Sequence, residues 1–146
     1  MAIKTESVLA LFERVVNEPF AEARAAALAG RKVVGHMCTY TPEELFHAAG
    51  HLPIRILAWS EGTTRADGLM QAYSCSLARS ALELALSGQQ DFLHIMLFSH
   101  TCDTLQNLAD IWKRSVPASI CLTLSTPTCV SGPHAIEYFR GELNHL

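Results

Sequence analysis

No Cys-x-x-Cys pair, glycine-rich phosphate loop, GxGxxG turn or HExxH helix occurs anywhere in the chain. Without a phosphate loop or dinucleotide fingerprint, the chain is not expected to bind ATP or a dinucleotide itself. Without a tight cysteine pair, any metal site has to be assembled from distant loops. Lysine and arginine form no cluster, and a net charge of -3 argues against a nucleic-acid partner. No apolar run approaches the roughly 20 residues of a membrane span. Lys4, Glu6, Glu13 and Arg14 break up the N-terminus, which therefore reads as no signal peptide, and the expected location is the cytoplasm. Charge is also sparse: 17% of residues are charged and 49% are hydrophobic, more apolar than a soluble surface needs, which points to a face hidden against another domain or subunit. Five cysteines do not favour a closed disulfide framework, and in this compartment reduced thiols or metal ligands are expected.

What is present is an alternation of short apolar runs with helical patterns. The length of 146 residues fits one domain that buries roughly 70% of its unfolded surface. Val8, Leu11, Phe12, Val15 and Val16 recur at helical spacing between Thr5 and Asn17, and Pro19 opens a second helix that Gly30 ends. Residues 1–30 are thus read as N-terminal packing helices. From residue 31 onward the pattern changes. Strands are expected at Lys32–Met37, Leu52–Trp59, Phe92–Phe98 and Ala118–Leu124, the second weakened at its start by Pro53. Helices are expected at Pro42–Ala49, with Thr41 as cap, at Ser76–Leu86 and at Thr104–Ser115, and a last one from Pro133 or His134 to the final residue. Glu61–Leu69 and Ser125–Gly132 read as loops. Strands alternating with helices at this spacing imply right-handed crossovers, hence an α/β, three-layer Rossmann-like domain over residues 31–146 with a mostly parallel sheet of about four strands.

Three cysteines occupy equivalent places in this pattern. Cys38 follows the first strand, Cys75 opens an Ala/Leu-rich helix, and Cys102 lies in the Ser-His-Thr-Cys-Asp turn between the third strand and its helix. In an open parallel sheet, strand ends and helix N-termini converge where ligands bind. The segments CTYTPEELFHAAGHLPIR, AYSCSLARSALELAL and FSHTCDTLQNLADIW, taken together and in this order, resemble the N-terminal portion of the 2-hydroxyacyl-CoA dehydratase / benzoyl-CoA reductase subunit family. The resemblance covers most of the chain from about Gly30.

The resemblance implies an oxygen-sensitive [4Fe-4S] cluster, with Cys75 and Cys102 matching the family's Cys-Ser and Cys-Asp turns. Cys38 matches a cysteine of only some branches. It also implies a chemistry: an ATP-dependent activator delivers a low-potential electron that the cluster passes to an acyl-CoA, and a ketyl radical then permits dehydration or ring reduction. Iron–sulfur clusters are held by thiolates and tuned by hydrogen bonds to their sulfurs, which helix N-termini and loop N–H groups donate. Family subunits carry a second α/β domain that this sequence does not contain, so ligation in this chain is expected to be incomplete. The isolated chain is expected to be inactive and to associate with itself or with a homologous or separately encoded subunit. Two other readings stand beside this one: a non-catalytic truncated homologue acting in subunit association, and a small zinc site built from Cys102, His100 and another thiolate.

Other residues have simpler readings. Cys121, inside a strand, and Cys129 read as small hydrophobic residues. His47 and His51, four apart but interrupted by Gly50, read as surface or capping groups, whereas His100 belongs near the site. Arg55 and Arg79 have the geometry to bind CoA phosphates, yet a solvated surface is the plainer explanation. Glu43 and Glu44 complement a helix dipole.

Overall fold

The computed structural model describes residues 7–57 and 60–146. Thr5 and Trp59, the expected ends of the first helix and second strand, lie outside them. Four parallel strands form one sheet, β1 (Val33–Met37), β2 (Leu52–Arg55), β3 (Ile95–Ser99) and β4 (Ile120–Leu124), in the order β2-β1-β3-β4. The described helices are α1 (Val8–Asn17), α2 (Ala21–Leu28), α3 (Glu43–Ala48), α4 (Thr64–Asp67), α5 (Ser76–Leu86), α6 (Asp103–Ser115) and α7 (Ala135–Leu143). None of them is long and apolar enough to cross a membrane.

Strand side chains alternate between two cores. Val33, Met37, Met96 and Phe98 pack on one face with α5 and α6, while Val34, Leu97 and Leu124 pack on the other with Phe46 of α3 and Phe139 of α7. With both faces covered, β1 is buried along its whole length, which is why its sequence reads as a continuous apolar run. The helices seat themselves by spacing: Leu105, Leu108, Ala109 and Trp112 make one buried stripe on α6. Trp112 is fully buried, meets Phe98 edge-on at a centroid distance of 5.5 Å, and donates its indole N–H to Ser119 Oγ at 2.9 Å. Gly50 and Gly88 take positive φ where α3 and α5 end, a conformation that costs other residues.

Several expectations are corrected. α1 forms where its periodicity indicates, but none of its residues is buried, and Val8, Leu9, Phe12 and Val16 are each more than 60% exposed. α1 thus contributes no residue to either core, while α2 packs on the larger one through Ala23, Ala26 and Ala27. An apolar stripe reads the same whether it meets its own core or faces outward. α3 starts at Glu43 with Pro42 as its cap residue, because Thr41 is diverted: its Oγ1 lies 3.4 Å from Ser99 Oγ at the end of β3. β2 ends at Arg55, short of Trp59. β3 begins later than its apolar run, since Phe92 packs beside Phe20 and Leu93 lies in the core ahead of the ladder, and β4 begins at Ile120 after a turn in which the Ser119 N–H donates to Val116 O. α7 ends at Leu143 with Asn144 as its cap.

The segment read as the loop Glu61–Leu69 contains α4. Its short helix depends on a residue far along the chain: the buried Glu83 carboxylate accepts the backbone N–H groups of Arg65 (2.8 Å) and Ala66 (2.9 Å) and the Arg65 Nη1 (3.0 Å). These bonds, led by the one from Ala66 and opposed by desolvation, hold Glu83 below its ordinary value of 4.5. A carboxylate with a depressed folded pKa contributes stability above its unfolded pKa and loses it as pH falls through the folded one. Glu83→Gln is therefore expected to cost about 1–3 kcal/mol at neutral pH, the penalty for poorly satisfied buried donors. The gap to the unsubstituted protein should narrow below pH 4.5 in urea melts; a constant gap across pH would show that the charge of Glu83 plays no part.

Candidate functional site at the sheet edge

In the order β2-β1-β3-β4, the chain moves from β1 to one side and then returns to the other, so the topological switch lies between the carboxyl ends of β1 and β3. Cys38 directly follows β1. Its φ is 61° and that of Tyr40 is 69°, a left-handed conformation that costs non-glycine residues roughly 1–2 kcal/mol each. Such strain gathers at ligand sites. Cys102 directly precedes α6 and Cys75 directly precedes α5, each as the extended N-cap residue, and neither side chain makes a capping hydrogen bond. Both thiols are exposed and Cys38 is half-buried against the core. Because the helices of right-handed crossovers run opposite to the strands, α5 and α6 both begin at the strands' carboxyl edge, and they pack against each other.

The fold thus brings all three cysteine turns to one edge. It does not gather their sulfurs into a coordination group: among the described residues, no set of three or more His, Cys, Asp and Glu side chains is positioned to hold a metal ion. The chemistry of the donors suits an iron–sulfur cluster nonetheless, with three free thiols, two of them at helix starts whose first-turn N–H groups have no side-chain cap.

His100 lies at the end of β3, where its backbone N–H donates to Leu124 O (2.9 Å) and its Nδ1 sits 3.1 Å from Ser125 Oγ. Cys121 matches its reading as a core thiol, with Sγ 3.4 Å from Ala109 O and its pKa raised by burial. Cys129 does not, because it is exposed on the loop after β4. His47 is exposed at the end of α3. Arg79 is occupied within the domain, bonded to Asp67 and to Thr63 Oγ1 (2.8 Å), so it is not available for a phosphate.

One buried group was missed. His36, hidden in the run VVGHM, is 1% exposed in the central strand, and its Nε2 lies 3.1 Å from Glu43 Oε1 without the alignment of a hydrogen bond. Burial holds its pKa below the usual imidazole range, Glu43 pulls upward and Arg55 downward. Glu43 thus does more than complement a helix dipole. The signal was the single polar residue in a fully buried strand.

The family model described as 2-hydroxyglutaryl-CoA dehydratase, D-component, matches residues 38–146, from the first of the three cysteines to the last residue. The chain belongs to this family. Among its relatives, a benzoyl-CoA reductase subunit from Thauera aromatica is 36% identical over 80% of this chain and 31% of its own length. The beta subunit of lactoyl-CoA dehydratase from Anaerotignum propionicum is 34% identical over 80% of this chain and 32% of its own length. The beta subunit of (R)-2-hydroxyglutaryl-CoA dehydratase from Acidaminococcus fermentans is 28% identical over 70% and 27%. The chain therefore spans about a third of the length of the curated relatives it matches.

The positions of the cysteines separate site from scaffold. Cys75→Ser and Cys102→Ser, at exposed helix caps, are expected to leave the urea midpoint nearly unchanged. Leu84→Ala, in the core at 8% exposure, should cost about 2–5 kcal/mol. Equal large losses in all three variants would make the cysteines structural.

Proposed function

We propose that this chain contributes Cys38, Cys75 and Cys102 to an iron–sulfur site in an enzyme assembly that dehydrates or reduces an acyl-CoA. The observation that carries this reading is the placement of three free cysteine turns at one sheet edge, two of them as helix N-caps with unengaged side chains. Family membership supports the substrate class, since the relatives are named as acyl-CoA dehydratase or reductase subunits. The bound group, a [4Fe-4S] cluster, would supply single-electron chemistry fed by an ATP-dependent activator. The chain's own residues have separate tasks. The first-turn N–H groups of α5 and α6 would be donors for anionic sulfur, and the strained Cys38–Tyr40 turn would set the reach of the third thiol. Thr41 and Ser99 tie that turn to the end of β3.

Three thiolates and one open edge neither complete the ligand set nor exclude water from a reactive intermediate. In this reading a homologous or separately encoded subunit covers that edge, and the outward apolar face of α1 is consistent with association. That face equally fits a non-catalytic role in subunit association, which is the second reading. The test is an anaerobic assay with an activator protein, ATP and a panel of 2-hydroxyacyl-CoA and aryl-CoA thioesters, run beside light scattering. Turnover is expected only in an assembly containing a partner subunit. Turnover by a monomer of this chain alone, or none from any assembly that contains it, would sink the proposal.

A further inference from the structure

The loop after β4, with the first turns of α6 and α7, lines an open groove of about 530 Å³ at the same edge of the sheet. That volume lies in the range of small-molecule sites. Its wall is more apolar than polar, with Pro127, Pro133 and the Cys129 thiol set among the Gln106 amide, the Ser125 and Tyr138 hydroxyls and the His100 imidazole. No Asp, Glu, Lys or Arg among the described residues lines it. Glu142 stands behind the wall, its Oε2 accepting the Ser125 backbone N–H at 2.9 Å, while Ser125 Oγ meets His100 Nδ1 at 3.1 Å. The Gln106 N–H donates to the Cys102 carbonyl at 3.2 Å, so the groove and the cysteine turn share one turn of α6.

We propose that this groove takes the acyl end of the thioester and selects uncharged acyl groups over those that end in a second carboxylate; the inference rests on the function proposed above. Neutral hydroxyl and carbonyl oxygens find donors and acceptors in Gln106 and the wall hydroxyls. A carboxylate in the same groove meets no Lys or Arg and approaches the Glu142 carboxylate behind the wall. Its repulsion from Glu142 and its partial loss of water oppose binding, and a neutral group meets neither cost.

The test uses hydrolysis-resistant amides of one short amine, N-acetylethylenediamine, carrying a lactoyl, a benzoyl or a 2-hydroxyglutaryl group. Each is titrated into the chain at pH 8, above the ordinary imidazole range of about 6.5, while backbone amide shifts are followed by NMR. The neutral probes should move resonances within residues 125–138 and bind at least about tenfold more tightly than the carboxylate probe, a difference of about 1.4 kcal/mol. Thr128→Trp, placed on an exposed part of the loop, should abolish these shifts without lowering the thermal midpoint. Equal or tighter binding of the carboxylate probe, shifts located elsewhere, or no saturable shift with any probe would overturn the inference. Iron binding reads the proposed function separately: a chain that discriminates the probes but holds no iron keeps its groove and loses its cluster.

Discussion

Trp112→Ala is expected to destabilise the domain by about 3–5 kcal/mol, a large fraction of the stability of a small domain. The indole is fully buried between α6 and the sheet, packs edge-on against Phe98, and satisfies its N–H through Ser119 Oγ. Removing it leaves a cavity in the larger core and a hydroxyl without its donor. Trp112→Phe should recover most of the packing and cost less, separating the ring's volume from its hydrogen bond. Urea unfolding at constant m-value measures both; a loss below about 1 kcal/mol for the alanine variant would mean that α6 is not held as described.

Cys102→Ser and Cys75→Ser, harmless to the fold, are expected to lower turnover of the assembled enzyme by more than about 100-fold. That exceeds the range seen when only an outer-shell partner of a metal site is removed. A serine hydroxyl preserves size but is a poor substitute for a thiolate toward iron. Cys121→Ser is the control. Cys121 is bonded to Ala109 O in the larger core and lies away from any helix start. Equal losses from all three substitutions would remove the distinction between ligands and bystanders.

Much of the architecture was legible in local pattern. The alternation of short apolar runs with period-3.6 patterns locates four strands and most of the helices between them, and the buried stripe of α6 follows from its spacing. What escaped depends on contacts between distant residues. α4 exists because Glu83, 17 residues beyond Ala66, accepts its N–H, and nothing in Glu61–Leu69 announces that partner. Thr41 has the sequence of an N-cap but turns to Ser99, 58 residues away. α1 shows the converse: its periodicity gives a helix correctly and says nothing of what its apolar face meets.

The site divides in the same way. Three cysteine turns at strand ends and helix starts could be read from the sequence, because a parallel sheet sends those positions to one edge. The groove beside Ser125 and the burial of His36 beside Glu43 could not, since each joins elements that only the fold brings together.

The most direct measurement is anaerobic reconstitution of the chain with ferrous iron, sulfide and dithiothreitol, the last as a soluble thiol to complete the ligand set. Bound iron and acid-labile sulfide are then quantified, and the EPR spectrum is recorded after reduction. The account predicts iron and sulfide in equal amounts with a cluster signal in the unsubstituted chain, and loss of both in the variant with Cys38, Cys75 and Cys102 all replaced by serine. Iron retained equally by that variant, or a chain that holds stoichiometric zinc and no iron, would contradict it.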